Sequence, residues 1–297
     1  MLSLKTLRYT VTAAEEESVT LAARRLNVSQ PSISGAIAQL EDHYGQALFI
    51  RHKGSGISLT PFGRQVTRKA RDVLNSAAEL SALSSSETAV TGEITIGCFQ
   101  ELAPHYLPAL MKAFRDIHPN VWLTVREESL DDLPRLLQEG TIDLMINYDI
   151  GLPDAITTQT LREPALHALL PDGHALSFEK LISLEMLCHY PLIISSDHQS
   201  WSAIMALFQS IGLRPSVPWR PKTFEMQRGM VAAGLGVSVA FSKITTDLSY
   251  DGSRLITRPV SDNVPKQRIL MARSTRFDPS QAARTFWSFT EDWFRKR

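Results

Sequence analysis

Cysteine is scarce: Cys98 and Cys188 are the only two in 297 residues, which excludes the disulfide framework of a small secreted domain. No apolar run approaches the roughly 18 residues of a membrane span. Polar or charged residues recur every few positions at the amino terminus, unlike a signal peptide. There is no excess of either charge, with 31 Lys+Arg against 31 Asp+Glu, which excludes a uniformly basic nucleic-acid binder. Metal-spaced histidine pairs, a nucleophile elbow and a phosphate loop are all missing, although eight histidines occur and His198 lies near Ser200. Gly234 to Ser238 follows a predicted helix and precedes a predicted strand, the reverse of a dinucleotide loop. The expectation is a cytoplasmic protein without membrane attachment or cofactor, and not an enzyme.

What is present is an ordinary globular composition, 43% hydrophobic, long enough for two or three compact units. Charge is unevenly placed: residues 1–86 hold 10 of the 31 basic side chains and 7 of the 31 acidic ones. Leu4, Leu7, Val11 and Ala14 recur at helical spacing, and Glu15 to Glu17 close that helix. Thr20 can cap a short helix through Leu26, and Asn27 with Val28 makes a turn. Ser29 is placed to cap a third helix, with Pro31 in its first turn and Ile33, Ala36, Ile37, Leu40 and Tyr44 on one apolar stripe. The other side is small and uncharged: Ser32, Ser34, Gly35, Ala38 and Gln39. Residues 47–50 and 57–59 read as strands around a basic, Gly-rich tip containing Arg51 and Lys53, a wing. A long helix opens at Thr60 and Pro61. Its Val66, Ala70, Val73, Ala77, Leu80 and Ser84 alternate spacings of four and three, as in a coiled-coil seam, and Ser84 to Ser86 read as a hinge. Beyond Gly92, strand and helix patterns alternate, the signature of an α/β fold.

The segment from Thr20 to Ser34, with Gln39 to Glu41, Leu48 and Phe49, and Leu59 to Gly63, resembles the LysR family signature. The match covers about the first 65 residues at motif level; the remainder agrees in length, order and pattern. The resemblance implies an amino-terminal winged helix-turn-helix over 1–59, a linker and dimerisation helix over 60–87, and a two-lobed α/β effector domain of the periplasmic-binding-protein type 2 fold over 88–297. Lobe I is expected at about 92–162 and 267–297, lobe II at about 163–266. The third helix would enter the major groove of a double-stranded DNA operator, and the chain would form a homodimer or homotetramer. Gly35 departs from the family, which often has Arg, Lys or another polar side chain there. Ser29, Gln30, Pro31, Ser32, Ser34 and Gly35 would then meet bases or backbone, with Arg51 and Lys53, helped by Arg24 or Arg25, on phosphates. Arg51 and Lys53 suit an exposed turn equally well, and Arg64, Arg68, Lys69 and Arg71 read as a solvated linker face.

Ligands of open α/β sheets lie beyond the carboxyl ends of strands, beside helix amino termini. That gives the effector site an address at Cys98, Phe99, Gln100 and Glu101, at Tyr148 and Asp149, at Ser195 and Ser196, and at Thr223 and Phe224. The hydroxyls suit a carboxylate, the rings an apolar body, and Glu101 and Asp149 a donor or cationic group. Ser195, Ser196 and Thr223 equally suit plain helix capping, and Cys98 a small buried residue. A solute-binding protein would share the second fold, but it would need a secretion signal and would have no use for residues 1–86.

Overall fold

The computed structural model describes residues 2–52, 56–82, 90–241 and 246–296. Three helices form the head: α1 (Leu4–Glu15), α2 (Val19–Arg25) and α3 (Gln30–Tyr44). Their apolar faces, with Leu7, Val11, Ala22, Ile33, Ile37 and Leu40 buried, share one core with Leu48 and Ile57. Ser18, not Thr20, caps α2, its hydroxyl accepting from the Leu21 amide at 3.3 Å. Gly45 ends α3 in the left-handed conformation. The wing is an antiparallel ribbon of β1 (Phe49–His52) and β2 (Gly56–Leu59), pairing Phe49 with Leu59.

The long helix α4 (Pro61–Ala82) starts where Gly63 passes against the Leu48 carbonyl, so closely that a Cβ there would collide with it. The expected seam divides. Val66 and Ala70 are buried in the head's own core, whereas Val73 and Leu80 are exposed. The head offers α4 an apolar surface along its first turns, and Val73 and Leu80 further along lie beyond that cover. Ser84 to Ser86 lie outside the described residues, as does Lys53.

Beyond the linker, β3 (Gly92–Phe99), α5 (Ala103–Ile117), β4 (Val121–Glu128), α6 (Asp132–Glu139), β5 (Leu144–Tyr148) and β6 (Ile156–Arg162) build a first lobe. The chain returns to it with β10 (Ile269–Ser274) and α10 (Gln281–Arg295). Its sheet runs β4-β3-β5-β10-β6, parallel among β4, β3 and β5 and antiparallel where β10 pairs with β5 and β6. Every residue of β5 is buried, as a strand covered on both faces requires. Leu107, Leu110 and Phe114 of α5 close one face, and Phe286 of α10 meets Phe114 edge to face at 4.9 Å.

The second lobe holds an antiparallel sheet, β8-β7-β9, formed by β7 (His167–Pro171), β8 (Ser238–Ala240) and β9 (Leu255–Pro259). It also carries α7 (Leu184–Cys188), α8 (His198–Ser210) and α9 (Phe224–Ala232). Residues 192–193 make single bridges, Leu192 to Val237 and Ile193 to Trp219. Backbone bonds here run to both sides, the Ile193 amide to the Val237 carbonyl and the Leu192 and Ile194 amides to the Ser216 and Trp219 carbonyls.

Head and linker pack on the first lobe, and four basic side chains read from sequence as DNA-facing or solvated are drawn into other contacts. Arg71 is buried, ion-paired with Glu15 at 3.1 Å, and donates to the Gly140 carbonyl at 3.4 Å. Arg68 stacks on Phe277 with its guanidinium carbon 3.7 Å from the ring centroid. Arg64 lies 3.7 Å from Glu139. Both arginines of α2 are exposed, but Arg25 pairs with Glu15 and Glu16, so it is Arg24 that carries no ion pair among the described residues. Lys69 keeps its expected place in solvent.

Candidate functional site

The outward face of α3 is polar and open. Ser29, Gln30, Pro31, Ser32 and Gly35 are exposed and Ser34 is half-buried, because the stripe of Ile33, Ala36, Ile37 and Leu40 is spent on the head core. Ser29 occupies the cap position, yet its hydroxyl does not cap. It meets the Ser32 hydroxyl at 2.9 Å instead, leaving both on the surface. The Gln30 amide donates to the Thr20 hydroxyl at 2.7 Å, which holds its side chain across the turn between α2 and α3. A Cβ built on Gly35 would meet nothing within 4 Å, so the helix is bare there. Arg24 and Arg51 are exposed beside this face. Gln39 is exposed as well, but its Oε1 accepts from the Thr6 hydroxyl of α1 at 3.2 Å.

Between the two lobes lies a cavity of about 260 Å³. Both lobes contribute: Glu101, Leu130, Tyr148 and Asp149 from the first, Ser195, Gln199, Ser200 and Phe224 from the second, with Gln267 at a crossover between them. Each lobe positions its residues through strand ends and helix starts. Tyr148 closes β5, its ring 5.9 Å from Phe99 and 6.4 Å from Phe241. Asp197 caps α8 by accepting from the Ser200 amide at 2.9 Å. The Gln199 side chain donates to Asp131 at 2.8 Å, tying α8 to the start of α6 across the mouth. Gln267 donates to the Asp149 carbonyl at 2.9 Å, and Arg268 forms an ion pair with the Asp149 carboxylate.

Glu101 is the unusual member of the lining. The residue is half-buried overall, but its Oε1 is shut off from solvent and has no hydrogen-bond partner among the described residues. Burial, and secondarily the negative field of Asp197, push its carboxyl up to about 7.

Of the expected effector residues, Glu101, Tyr148, Asp149, Ser195 and Phe224 line the cavity. Cys98, Phe99, Gln100, Ser196 and Thr223 do not. Cys98 and Phe99 have no exposure because the end of β3 turns them into the first-lobe core, and burial holds the thiol protonated. The Gln100 amide donates to the Glu128 carbonyl at 3.1 Å, continuing the β4 edge, and the Ser196 amide to the Pro221 carbonyl at 2.7 Å. Thr223 caps α9, accepting from the Met226 amide at 3.2 Å. Sequence reading missed Gln199, Ser200, Gln227, Phe241 and Gln267. For Gln199 and Ser200 a signal existed, since both lie in the first turn after the Asp197 cap. For Phe241 and Gln267 none did, because each is brought in by a different chain crossing.

Two family models match the chain. The bacterial regulatory helix-turn-helix protein, lysR family, matches residues 4–64, and the LysR substrate binding domain matches residues 87–295. The HTH-type transcriptional regulator YnfL of Escherichia coli, described as uncharacterized, is 31% identical over 80% of this chain and 82% of its own. The crystal structure of HinK, a LysR family transcriptional regulator from Pseudomonas aeruginosa, is 33% identical, covers all of both chains and superposes with a TM-score of 0.67. Full-length CbnR complexed with its target DNA shares the fold, with a TM-score of 0.58 at 21% identity over 99% of this chain and 100% of its own. The chain therefore belongs to the LysR family of DNA-binding transcriptional regulators, with a helix-turn-helix head and an effector-binding domain.

Proposed function

We propose that α3 enters the major groove of an operator, with Ser29, Gln30, Pro31, Ser32, Ser34 and Gly35 against bases and backbone and with Arg24, Arg51 and Lys53 on phosphates. Gln30 can address adenine once released from Thr20, and the bare helix at Gly35 permits close approach. The observation that carries the regulatory reading is the cavity between the lobes, the first of which also holds the head and linker through Arg71 to Gly140 and Arg126 to Glu17. A small organic effector in that cavity tightens the lobes, and the paired heads change spacing on a pseudo-palindromic site. A carboxylate on the effector would find donors in the Ser195 and Ser200 hydroxyls. The exposed Val73 and Leu80 of α4 supply the contact of a homodimer, from which tetramers assemble. The reading calls for no metal or redox cofactor and for a cytoplasmic location; no helix among the described residues is long and apolar enough to cross a membrane.

The test is selection of genomic fragments by the purified chain, followed by footprinting with metabolites added singly. A protected pseudo-palindrome whose spacing of protection shifts with one metabolite is the expected result. Equal affinity for random and genomic DNA would reject the operator assignment, and indifference to every metabolite would reduce the second domain to an oligomerisation module.

A further inference from the structure

The charges around the cavity are unevenly answered. Asp149 has Arg268, and Asp131 at the mouth has the Gln199 amide. Arg228 of α9 is fully buried but spent on the Thr246 and Leu248 carbonyls, at 3.1 and 2.6 Å, and on Glu225 at 3.3 Å. His105, on α5 just beyond Glu101, is shifted toward its neutral form by burial and by Arg228. Asp197 at the head of α8 adds negative potential at Glu101. No Lys, Arg or His lines the cavity among the described residues. Glu101 thus lines the cavity with a carboxyl group that no lining cation answers, one of its oxygens being shut off from solvent and without a hydrogen-bond partner among the described residues.

A buried carboxyl in that position pays for ionisation unless a cation or donor arrives from outside. The rings of Tyr148, Phe224 and Phe241 give the same space an apolar lining that also favours positive charge at a ring face.

We infer that the effector is an organic cation with a compact apolar body, an amine or amidine whose protonated nitrogen is held by the Glu101 carboxyl group. This rests on the cavity being the effector site. Protonation of Glu101 competes with such a ligand, so the ligand binds best to the ionised form.

Three probes of one shape separate the possibilities: 2-phenylethylamine, 2-phenylethanol and phenylacetate, titrated calorimetrically into the full chain. The amine is expected to bind at least tenfold more tightly than either other probe, and to tighten by about tenfold between pH 6 and 8 as Glu101 loses its proton. Glu101→Gln should remove most of the amine's advantage and leave the alcohol within about threefold, and circular dichroism verifies that the variant folds. The probe ranking and the pH trend of the unmodified chain need no variant at all. Phenylacetate matching the amine, an amine affinity unaffected by Glu101→Gln, or no binding of any probe at millimolar concentration would each overturn the cationic class. Ala203→Trp, which fills the cavity from its lining, tests the site separately: amine binding that survives it places the ligand elsewhere and removes the cavity reading itself.

Discussion

Arg71 of α4 and Glu15 of α1 pair at 3.1 Å with side chains only 9% and 11% exposed, and the same guanidinium reaches the Gly140 carbonyl of the first lobe. One cation therefore joins head, linker and effector domain. Acids crowd the same place: Asp143, half-buried and donated to by the Thr95 amide at 2.7 Å, and Glu93 are both raised above the usual carboxylate range, mainly by burial.

Removing that cation should be severe. Arg71→Ala leaves Glu15 with Arg25 alone and takes the buried donor from the Gly140 carbonyl, and is expected to cost about 3 kcal/mol in chemical denaturation. A loss below about 1 kcal/mol would mean that the pair is solvated in the working protein.

Glu101 predicts a pH effect without any ligand. Its folded-state value is raised, so the stability associated with its protonated form is complete below pH 4.5 and is lost as pH rises through about 7. Glu101→Gln removes this penalty. At pH 8 the variant should be the more stable by up to about 3 kcal/mol, and near pH 5 the difference should shrink toward zero. Equal melting differences at both pH values would show that Glu101 titrates normally.

The phosphate assignment is read from salt. Arg24→Ala and Arg51→Ala should each flatten the slope of log K against log salt by about 0.9, whereas Arg25→Ala, whose side chain is held by Glu15 and Glu16, should leave it unchanged. A slope altered by Arg25→Ala but not by Arg24→Ala would reverse the assignment.

Leu80 is 70% exposed in the single chain. Leu80→Glu should therefore change monomer stability by no more than about 0.5 kcal/mol. It should still weaken operator binding by about tenfold or more as the paired arrangement is lost, with sedimentation reporting the shift to monomer. Unimpaired dimers would put the contact elsewhere.

Gly63→Ala probes the head-to-linker junction. The added methyl collides with the Leu48 carbonyl, and backbone cannot rotate aside as a side chain can. A loss of about 1–3 kcal/mol is expected in thermal unfolding, and wild-type stability would mean that α4 enters the head differently.

Local patterns were legible where neighbours in sequence carry the physics. The stripe Ile33, Ile37 and Leu40 located α3, and the alternation from Gly92 onward located the first lobe. The α4 seam misled because a four-three spacing records that one face is buried without saying by what; Val66 and Ala70 found their cover in their own head. Glu101, Tyr148 and Phe224 were legible because they stand at strand ends and helix starts. Phe99 shared that address, but the end of β3 rotates it into the core.

The sequence by itself determined the family, the order of elements and the outward polar face of α3, since helix periodicity and turn chemistry act over a few residues. Only tertiary structure decided which arginines remain free, that Arg71 locks the linker to the first lobe, and that Glu101 is enclosed without a partner. Those outcomes depend on burial and charge contributed by residues distant in the chain. Glu101 and Asp197 are ordinary surface acids on paper; burial of Glu101 by the fold, and secondarily the field of Asp197, is what raises the carboxyl.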